Sequence, residues 1–294
     1  MHNFEVDLLD GRTVEVASFG DKEGIPIFAF HGTPTSNISW AMVDEPARTR
    51  GVRVLAPNRP GIGGSDPHPL PLVASYADDV AGLADRLDMA SFAIMGHSGG
   101  GPFALACGAL LPDRVTAVAT LAGVGPLDNP EVKGEIASGD QRIFRLIDEG
   151  NDAAAGRMFK IMGAAARYAP RLTLFFFSRQ ASVQERELLG EIGATFIKSI
   201  TEALEQGPEA AVNEYRVFSK RENWGFEPGD ITVPVHIWQG EEDRNTFPIH
   251  AQALANLMPR AELHLLPGVG HPLMATHFDE ILDSLDVPKN VERD

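Results

Sequence analysis

Four apolar segments of the chain show no alternation between apolar and polar residues. They are PIFAFHG (26–32), VRVLAPN (52–58), FAIMGH (92–97) and VTAVATLAG (115–123). A strand that is buried on both faces has this pattern, because neither face meets water. Helical patterns separate the strands, for example over residues 75–89 and 100–111. Strands that alternate with helices predict an α/β fold with a parallel sheet and right-handed crossovers.

The N-terminal residues have a different pattern, which predicts an antiparallel hairpin. FEVDLL and TVEVASF flank the pair Asp10-Gly11. An Asp-Gly pair accommodates the positive φ angles of a tight turn between two strands.

From residue 126 to residue 229 the strand pattern disappears and helical periodicity replaces it. Sheet-like segments return at residues 233–243 and 261–268, and a last helix is predicted around 273–285. We therefore predict a core domain formed by residues 1–125 and 230–294. A helical insertion at residues 126–229, which we call the cap, interrupts this core as a lid over one end of the sheet.

The segment FAIMGHSGGG (92–101) begins as an apolar strand and ends in one histidine, one serine and three glycines. Its centre, Gly96-x-Ser98-x-Gly100, is the pattern of a nucleophile elbow, a sharp turn between a strand and a helix. The serine of an elbow has a strained positive φ, and the surrounding backbone approaches closely. Gly96 and Gly100 leave room for that approach, so the pattern predicts Ser98 as a nucleophile.

The same glycines also fit the dinucleotide-binding fingerprint G-x-G-x-x-G/A, over residues 99–104. That fingerprint requires an acidic residue about 20 positions later, at the end of the next strand, to bind a ribose. Here the next strand ends at Gly123, and the first acidic residue after it is Asp128. The missing acid favours the nucleophile interpretation, which implies no cofactor.

A serine nucleophile needs a base and an acid. Asp243 follows one of the late predicted strands and His271 follows the next. Both therefore lie at the carboxyl edge of the sheet, together with the elbow. We predict His271 as general base and then acid, and Asp243 as the group that orients its imidazole. Glu242 and Asp128 stay open as alternative acids.

These features resemble the α/β-hydrolase superfamily, in its capped serine esterase and lipase-like branch. Phe30-His31-Gly32-Thr33-Pro34 resembles the HGxP oxyanion motif of that superfamily. NRPGIGGS (58–65) resembles its D-x-x-G-x-G-x-S segment, with Asn58 in place of the usual aspartate, a change that we expect to be structural. The resemblance covers residues 4–125 and 230–286.

The resemblance implies a mostly parallel, eight-stranded sheet that is flanked by helices and carries the inserted cap. It also implies an oxyanion hole formed by the backbone N–H groups of Thr33 and Gly99. The N-terminus of the helix after Ser98 adds the positive end of its dipole to that hole.

Further residues are candidates for the lining of a substrate pocket. We name six: His97, His31, Trp40, Met158, Met162 and Phe175. A loop-holding role through hydrogen bonds is the simpler interpretation of His31. The methionines and Phe175 belong to an apolar group that either packs the cap itself or covers a pocket.

The composition limits the partners of the chain. It has 41 acidic and 25 basic residues, a formal net charge of −16. An acidic surface repels nucleic-acid phosphates and anionic lipids, so a neutral or apolar small molecule is the expected partner. The sequence shows neither a signal peptide nor a membrane span, and we expect a cytoplasmic protein.

The sequence predicts no metal site. A single cysteine rules out a cysteine-based zinc site. Four histidines outside the predicted triad have no spacing typical of ligands: His236, His250, His264 and His277.

Together these features predict a hydrolase that cleaves a small, largely apolar carboxylic ester, as carboxylesterases do, through an acyl-enzyme on Ser98. Lactonase, thioesterase, amidase or iminopeptidase and C–C bond hydrolase activities stay open, because they use the same triad. A ligand receptor on a hydrolase scaffold is the alternative from another class. The sequence predicts no oligomeric state.

Overall fold

A sheet of eight strands, counted over the described residues, forms the centre of the molecule. The computed structural model describes residues 2–179, 181 and 183–288. The strands are β1 (His2–Asp7), β2 (Thr13–Gly20), β3 (Ile25–Phe30), β4 (Val52–Pro57), β5 (Phe92–His97), β6 (Val115–Leu121), β7 (Val235–Gly240) and β8 (Glu262–Leu266). In space their order is β1-β2-β4-β3-β5-β6-β7-β8.

The sheet is parallel except at one edge. β2 is antiparallel to both of its neighbours, β1 and β4, and the strands from β4 to β8 pair in parallel. The predicted hairpin and the predicted mostly parallel sheet are both confirmed. β6 is buried at six of its seven residues, which explains why its sequence does not alternate.

The strand order reverses between β3 and β5. The chain passes from β3 to β4 on one side and returns to β5 on the other side of β3. Such a reversal opens a crevice at the carboxyl ends of the two strands. The HGTP loop follows β3 and Ser98 follows β5, so the topology places both at this crevice.

Helices cover both faces of the sheet. Phe28 and Phe30 of β3 join one hydrophobic cluster, whereas Ile27 and Ala29 join another, because successive strand residues point to opposite faces. The helices are α1 (Asp44–Thr49), α2 (Tyr76–Arg86), α3 (Gly100–Leu110), α4 (Pro130–Gly134), α5 (Ser138–Asp148), α6 (Asp152–Tyr168), α7 (Pro170–Ser178), α8 (Val183–Ala203), α9 (Glu209–Phe218), α10 (Pro248–Leu257) and α11 (Phe278–Ser284).

The cap consists of helices α4 to α9 and short 3-10 turns, in the part of it that the structure describes. Its aromatic residues pack onto the core. The rings of Phe218 in α9 and Phe103 in α3 are 5.6 Å apart, and within the cap the ring of Phe159 packs edge-on against Tyr215 at 5.3 Å. The cap and the helix after Ser98 therefore share one hydrophobic cluster. The division into two domains stays a prediction.

Two details differ from the sequence prediction. The last helix is interrupted: a 3-10 turn covers Leu273–Ala275, and α11 begins only at Phe278. A 3-10 helix over Asn37–Val43 precedes α1, and the sequence pattern predicted neither of these two helices. Of the helices in the described part of the chain, none combines the length and apolar character needed to cross a membrane.

Candidate active site

The turn between β5 and α3 has the geometry of a nucleophile elbow. Ser98 has a φ of 53°, in the left-handed region that non-glycine residues rarely adopt. Backbone hydrogen bonds fix this conformation: the Ser98 N–H donates to the carbonyl of Leu121 at 2.9 Å, and the Ser98 carbonyl accepts from Val124 at 3.1 Å. Ser98 is half-buried, so its side chain reaches solvent.

The glycines of the elbow are required by close packing. A Cβ atom on Gly96 would lie 2.7 Å from the carbonyl carbon of Gly100 and 2.8 Å from Cβ of Ala104. A Cβ on Gly100 would lie 2.8 Å from the carbonyl oxygen of His31. Gly101 approaches Gly123, where a Cβ would lie 3.0 Å from the Cα atom. Larger residues would therefore separate α3 from β5 and from the loop after β3.

The two predicted oxyanion donors lie next to each other. A Cβ on Gly99 would be 3.0 Å from Cβ of Thr33, and a Cβ on Gly32 would be 3.2 Å from Cβ of Ser98. Among the hydrogen bonds of the described residues, none uses the backbone N–H of Thr33 or of Gly99. Two N–H groups beside a serine are thus available to bind a negatively charged oxygen.

The structure brings His271 and Asp243 together. His271 Nδ1–H donates to Asp243 Oδ2 at 2.8 Å, since a carboxylate can only accept. Asp243 is fully buried, and its carboxylate also accepts from Gln239 Nε2 at 3.1 Å and from the Asn245 N–H at 2.8 Å. These bonds fix the carboxylate and, through it, the imidazole.

The charges of this pair depend on each other. Burial opposes ionisation of Asp243, but the positive charge of His271 and the hydrogen bonds to the carboxylate outweigh it and lower its pKa below 3.8. Burial also opposes protonation of His271, but the charge of Asp243 and its hydrogen bond outweigh burial and raise the pKa of the imidazole above 6.5. A pair with these properties is suited to accept a proton.

The alternative acids lie on the surface. The side chain of Asp128 is 46% exposed and pairs with Arg221 at 3.8 Å. Glu242 is exposed as well. Of the three candidate acids, only Asp243 contacts His271 within the part of the chain that the structure describes.

His97 lies against the imidazole of His271. The two ring centroids are 4.6 Å apart, and His97 Nε2–H donates to the His271 carbonyl at 3.2 Å. Burial, with the neighbouring charge of His271, lowers the pKa of His97 to about 3. His97 therefore stays neutral at neutral pH, and its contact supports the backbone of His271.

His31 is fully buried and holds the loop over residues 30–34, which we call the oxyanion loop after its predicted role. Its Nδ1–H donates to the Gly32 carbonyl at 2.8 Å, and its Nε2 accepts from the Arg59 N–H at 3.3 Å. Burial and the charge of Arg59 keep the pKa of His31 well below 6.5. These bonds match the loop-holding interpretation of this residue.

Asn58, which replaces the usual aspartate, connects three segments. Its Oδ1 accepts from the Asn37 N–H at 2.7 Å, and its Nδ2 donates to Glu15 Oε2 at 2.6 Å. An aspartate could not make the second contact, because both groups would be acceptors.

Arg59 and Glu214 form a buried ion pair that sequence reasoning missed. Arg59 Nε donates to Glu214 Oε1 at 2.5 Å, and Nη2 donates to Oε2 at 3.0 Å. Arg59 also donates to the carbonyls of His31 (2.6 Å) and Gly32 (3.1 Å), and Thr33 Oγ1 donates to Glu214 Oε2. Helix α9 of the cap is thereby bonded to the oxyanion loop.

The cap approaches the site at two further places. A Cβ on Gly99 would lie 3.3 Å from Cε2 of Phe218, so this ring lies beside the predicted oxyanion donor Gly99. Glu185 Oε1 accepts from the His271 N–H at 2.6 Å. No sequence motif marks these residues, since they lie on amphipathic helices whose orientation only the fold determines.

The remaining pocket candidates are dispersed. Trp40 is fully buried in the cluster between α1 and α11 and therefore packs the core. Met158 and Met162 are partly buried against the other cluster, and Phe175 is 57% exposed. For the last three residues, lining of a pocket stays a prediction.

A comparison with known proteins identifies the family. The model of the alpha/beta hydrolase family matches residues 27–284. The chain belongs to the alpha/beta hydrolase family. The predicted superfamily is thus confirmed, and the shared fold explains why Ser98, Asp243 and His271 follow β5, β7 and β8.

The relatives of this alpha/beta hydrolase carry several names. A non-heme chloroperoxidase of Streptomyces lividans is 26% identical over 274 residues, 91% of this chain and 92% of that protein. A bifunctional esterase/perhydrolase of Acinetobacter calcoaceticus is 26% identical over 279 residues, 92% of this chain and 94% of that protein. The solved enol-lactonase from Burkholderia xenovorans has a TM-score of 0.68 at 19% identity, covering 96% of this chain and all of that one. The family and these relatives support a hydrolase.

The Arg59–Glu214 pair generates a stability prediction. In this hydrolase, Glu214→Gln removes the negative charge and leaves Arg59 buried without its partner. Breaking one partner of a buried ion pair costs about 3–5 kcal/mol. We expect the free energy of unfolding, measured by urea denaturation, to fall by about that amount.

The matched control is Glu222→Gln, since Glu222 is 73% exposed and pairs with Lys220 at 3.5 Å. An exposed pair contributes less than about 1 kcal/mol. Equal losses in the two variants would contradict the importance of the buried pair.

Proposed function

We propose that the chain is a serine hydrolase that cleaves a small, largely uncharged carboxylic ester. The observation that carries this proposal is the pair of backbone N–H groups, of Thr33 and Gly99, that lie beside a strained serine and donate no hydrogen bond to the described residues. The His271–Asp243 hydrogen bond supplies the base that such a serine needs. A receptor that only binds its ligand would not need a strained serine, two N–H donors and a base in one place.

In the proposed reaction, Ser98 Oγ attacks the ester carbonyl carbon and its proton passes to Nε2 of His271. The N–H groups of Thr33 and Gly99 stabilise the oxyanion, each by about 3 kcal/mol. His271 then gives the proton to the leaving alkoxide, and the C–O bond breaks. Water, deprotonated by the same imidazole, releases the acid and restores Ser98.

The substrate class follows from the surroundings of the site. The side chains of Glu185 and Asp243 contact His271, and the chain has a net charge of −16, so an anionic substrate would be repelled. The buried ring of Phe218 packs beside Gly99 and makes the protein interior behind this residue apolar. These features favour a neutral ester with an apolar acyl group, under a cap that serves as the lid. The esterase/perhydrolase relative supports ester cleavage, and the enol-lactonase neighbour makes lactones the second class to test.

The first test is Ser98→Ala. We expect turnover of short-chain p-nitrophenyl esters to fall by about 10³-fold or more, because the acyl-enzyme cannot form. Labelling by a fluorophosphonate probe should disappear as well.

The matched control is Ser91→Ala, because Ser91 is exposed and immediately precedes β5. This variant should keep both the ester turnover and the fluorophosphonate labelling of the parent. Full turnover in Ser98→Ala would sink the assignment of the nucleophile. A panel of esters, lactones, thioesters and aminoacyl amides then identifies the substrate class.

The second test separates Asp243 from Asp128. Asp243→Asn removes the carboxylate that holds His271 in the required tautomer, and we expect kcat to fall by about 10⁴-fold. Asp128→Asn changes only an exposed ion pair and should stay within tenfold of the parent. The reverse order of effects would make Asp128 the acid.

The third test is the pH profile. His271 accepts a proton only when it is neutral, so kcat/KM should rise with pH through the pKa of the free enzyme. Because that pKa is raised, the midpoint of the rise should lie above 6.5. Glu185 contributes to the raised pKa by its negative charge, so Glu185→Gln should move the midpoint to lower pH.

The control for this test is Glu187→Gln, an exposed residue on the same helix. An unchanged midpoint in Glu185→Gln, or the same shift in both variants, would refute the electrostatic role of Glu185.

A further inference from the structure

Three potential metal ligands lie side by side, one near the amino end of β7 and two in the first three residues of β8. The register pairs His236 with Glu262 and Trp238 with His264. Since alternate strand residues share a face, the side chains of all four point to the same side of the sheet. Glu262 and His264, which are 26 and 28 positions after His236 in the chain, are thus its neighbours in space. Their spacing in the sequence did not indicate this.

The ligand atoms form a triangle with sides that suit a metal ion. His236 Nδ1 is 3.3 Å from His264 Nε2 and 3.5 Å from Glu262 Oε2, and His264 Nε2 is 3.8 Å from the same oxygen. A point equidistant from the three atoms is about 2.1 Å from each, which is the usual length of bonds from zinc to imidazole nitrogen and carboxylate oxygen. The distances between the three ligand atoms are therefore those that one zinc ion requires.

We propose that His236, Glu262 and His264 bind a divalent transition-metal ion, with Zn²⁺ as the best match. Two imidazoles and one carboxylate are the donors that favour zinc over magnesium or calcium, which prefer oxygen ligands. Three protein ligands leave the fourth position of a tetrahedral ion for water.

The two histidine rings are held in place, and the carboxylate is accessible. Trp238 stacks on His264 with the centroids 4.0 Å apart and the planes 11° from parallel. The side chain of His236 is 12% exposed, whereas that of Glu262 is 70% exposed. The imidazoles are therefore preorganised, the ion has a path from solvent, and the acidic net charge of the chain favours its approach.

This site is separate from the proposed catalytic residues. Gly240 lies four positions after His236 along the extended strand, a distance of about 13 Å. Asp243 and His271 lie beyond the opposite, carboxyl ends of β7 and β8. An ion at the cluster thus links β8 to β7 and takes no part in the chemistry at Ser98.

The test uses the full chain, stripped of metal with a chelator, and Zn²⁺ as the probe. Titration against a chromophoric zinc indicator should show one high-affinity ion per chain, and thermal unfolding should shift upward with zinc. His236→Ala and His264→Ala should each weaken binding by more than about 100-fold, and Glu262→Gln by about 10-fold or more.

The matched control is His68→Ala, which removes an exposed histidine elsewhere and should bind zinc like the parent. Glu262→Gln changes an exposed side chain, so its unfolding temperature without metal should equal that of the parent, which separates lost ligation from lost folding. No bound zinc, or binding that survives in both alanine variants and is lost in His271→Ala, would overturn the proposal. Neither readout depends on the proposed esterase activity.

Discussion

The candidate active site depends on one buried ion pair, between Arg59 and Glu214. Both side chains are shielded from water, which is costly for isolated charges unless they are paired and their hydrogen bonds are satisfied. The guanidinium meets this requirement by bonding the Glu214 carboxylate and the carbonyls of His31 and Gly32 at once. The cap can therefore leave the core only by exposing this pair, so the shape of the oxyanion loop is coupled to the position of α9.

The second constraint is the close contact of backbone segments around Ser98. The positive φ of Ser98 persists because its N–H and carbonyl are both bonded and because α3 packs against the loop after β3 without side chains between them. The ion pair fixes that same loop through the carbonyls of His31 and Gly32. The strain at Ser98 and the charge pair thus act on one short segment, residues 30–33, and together they determine where an oxyanion would lie.

The features near the ends of strands were predictable from the sequence, and those in the cap were not. Ser98, Asp243 and His271 each follow a predicted strand, and parallel strands place their carboxyl ends at one edge, so local patterns were sufficient to predict where these residues lie. Glu214 and Phe218 lie on a helix whose periodicity indicates a buried face but not what that face contacts. The contact between His236 and His264 was not predicted for a related reason. It depends on the register of two strands, and the spacing of residues along the chain does not give that register.

The proposed cation site and the proposed catalytic pair are connected by the strands themselves. β7 leads into the loop of Asp243 and β8 into the loop of His271, and the hydrogen bond between those residues crosses from one loop to the other. The Glu242 N–H donates to the Val269 carbonyl at 2.9 Å, which ties the loops together directly. In the sheet formed by the described residues, β8 is an edge strand with a neighbour on one side, so it is held less firmly than β7. An ion that joins the amino ends of the two strands would oppose their separation, and the position of His271 relative to Asp243 would be steadied from the far end of the sheet.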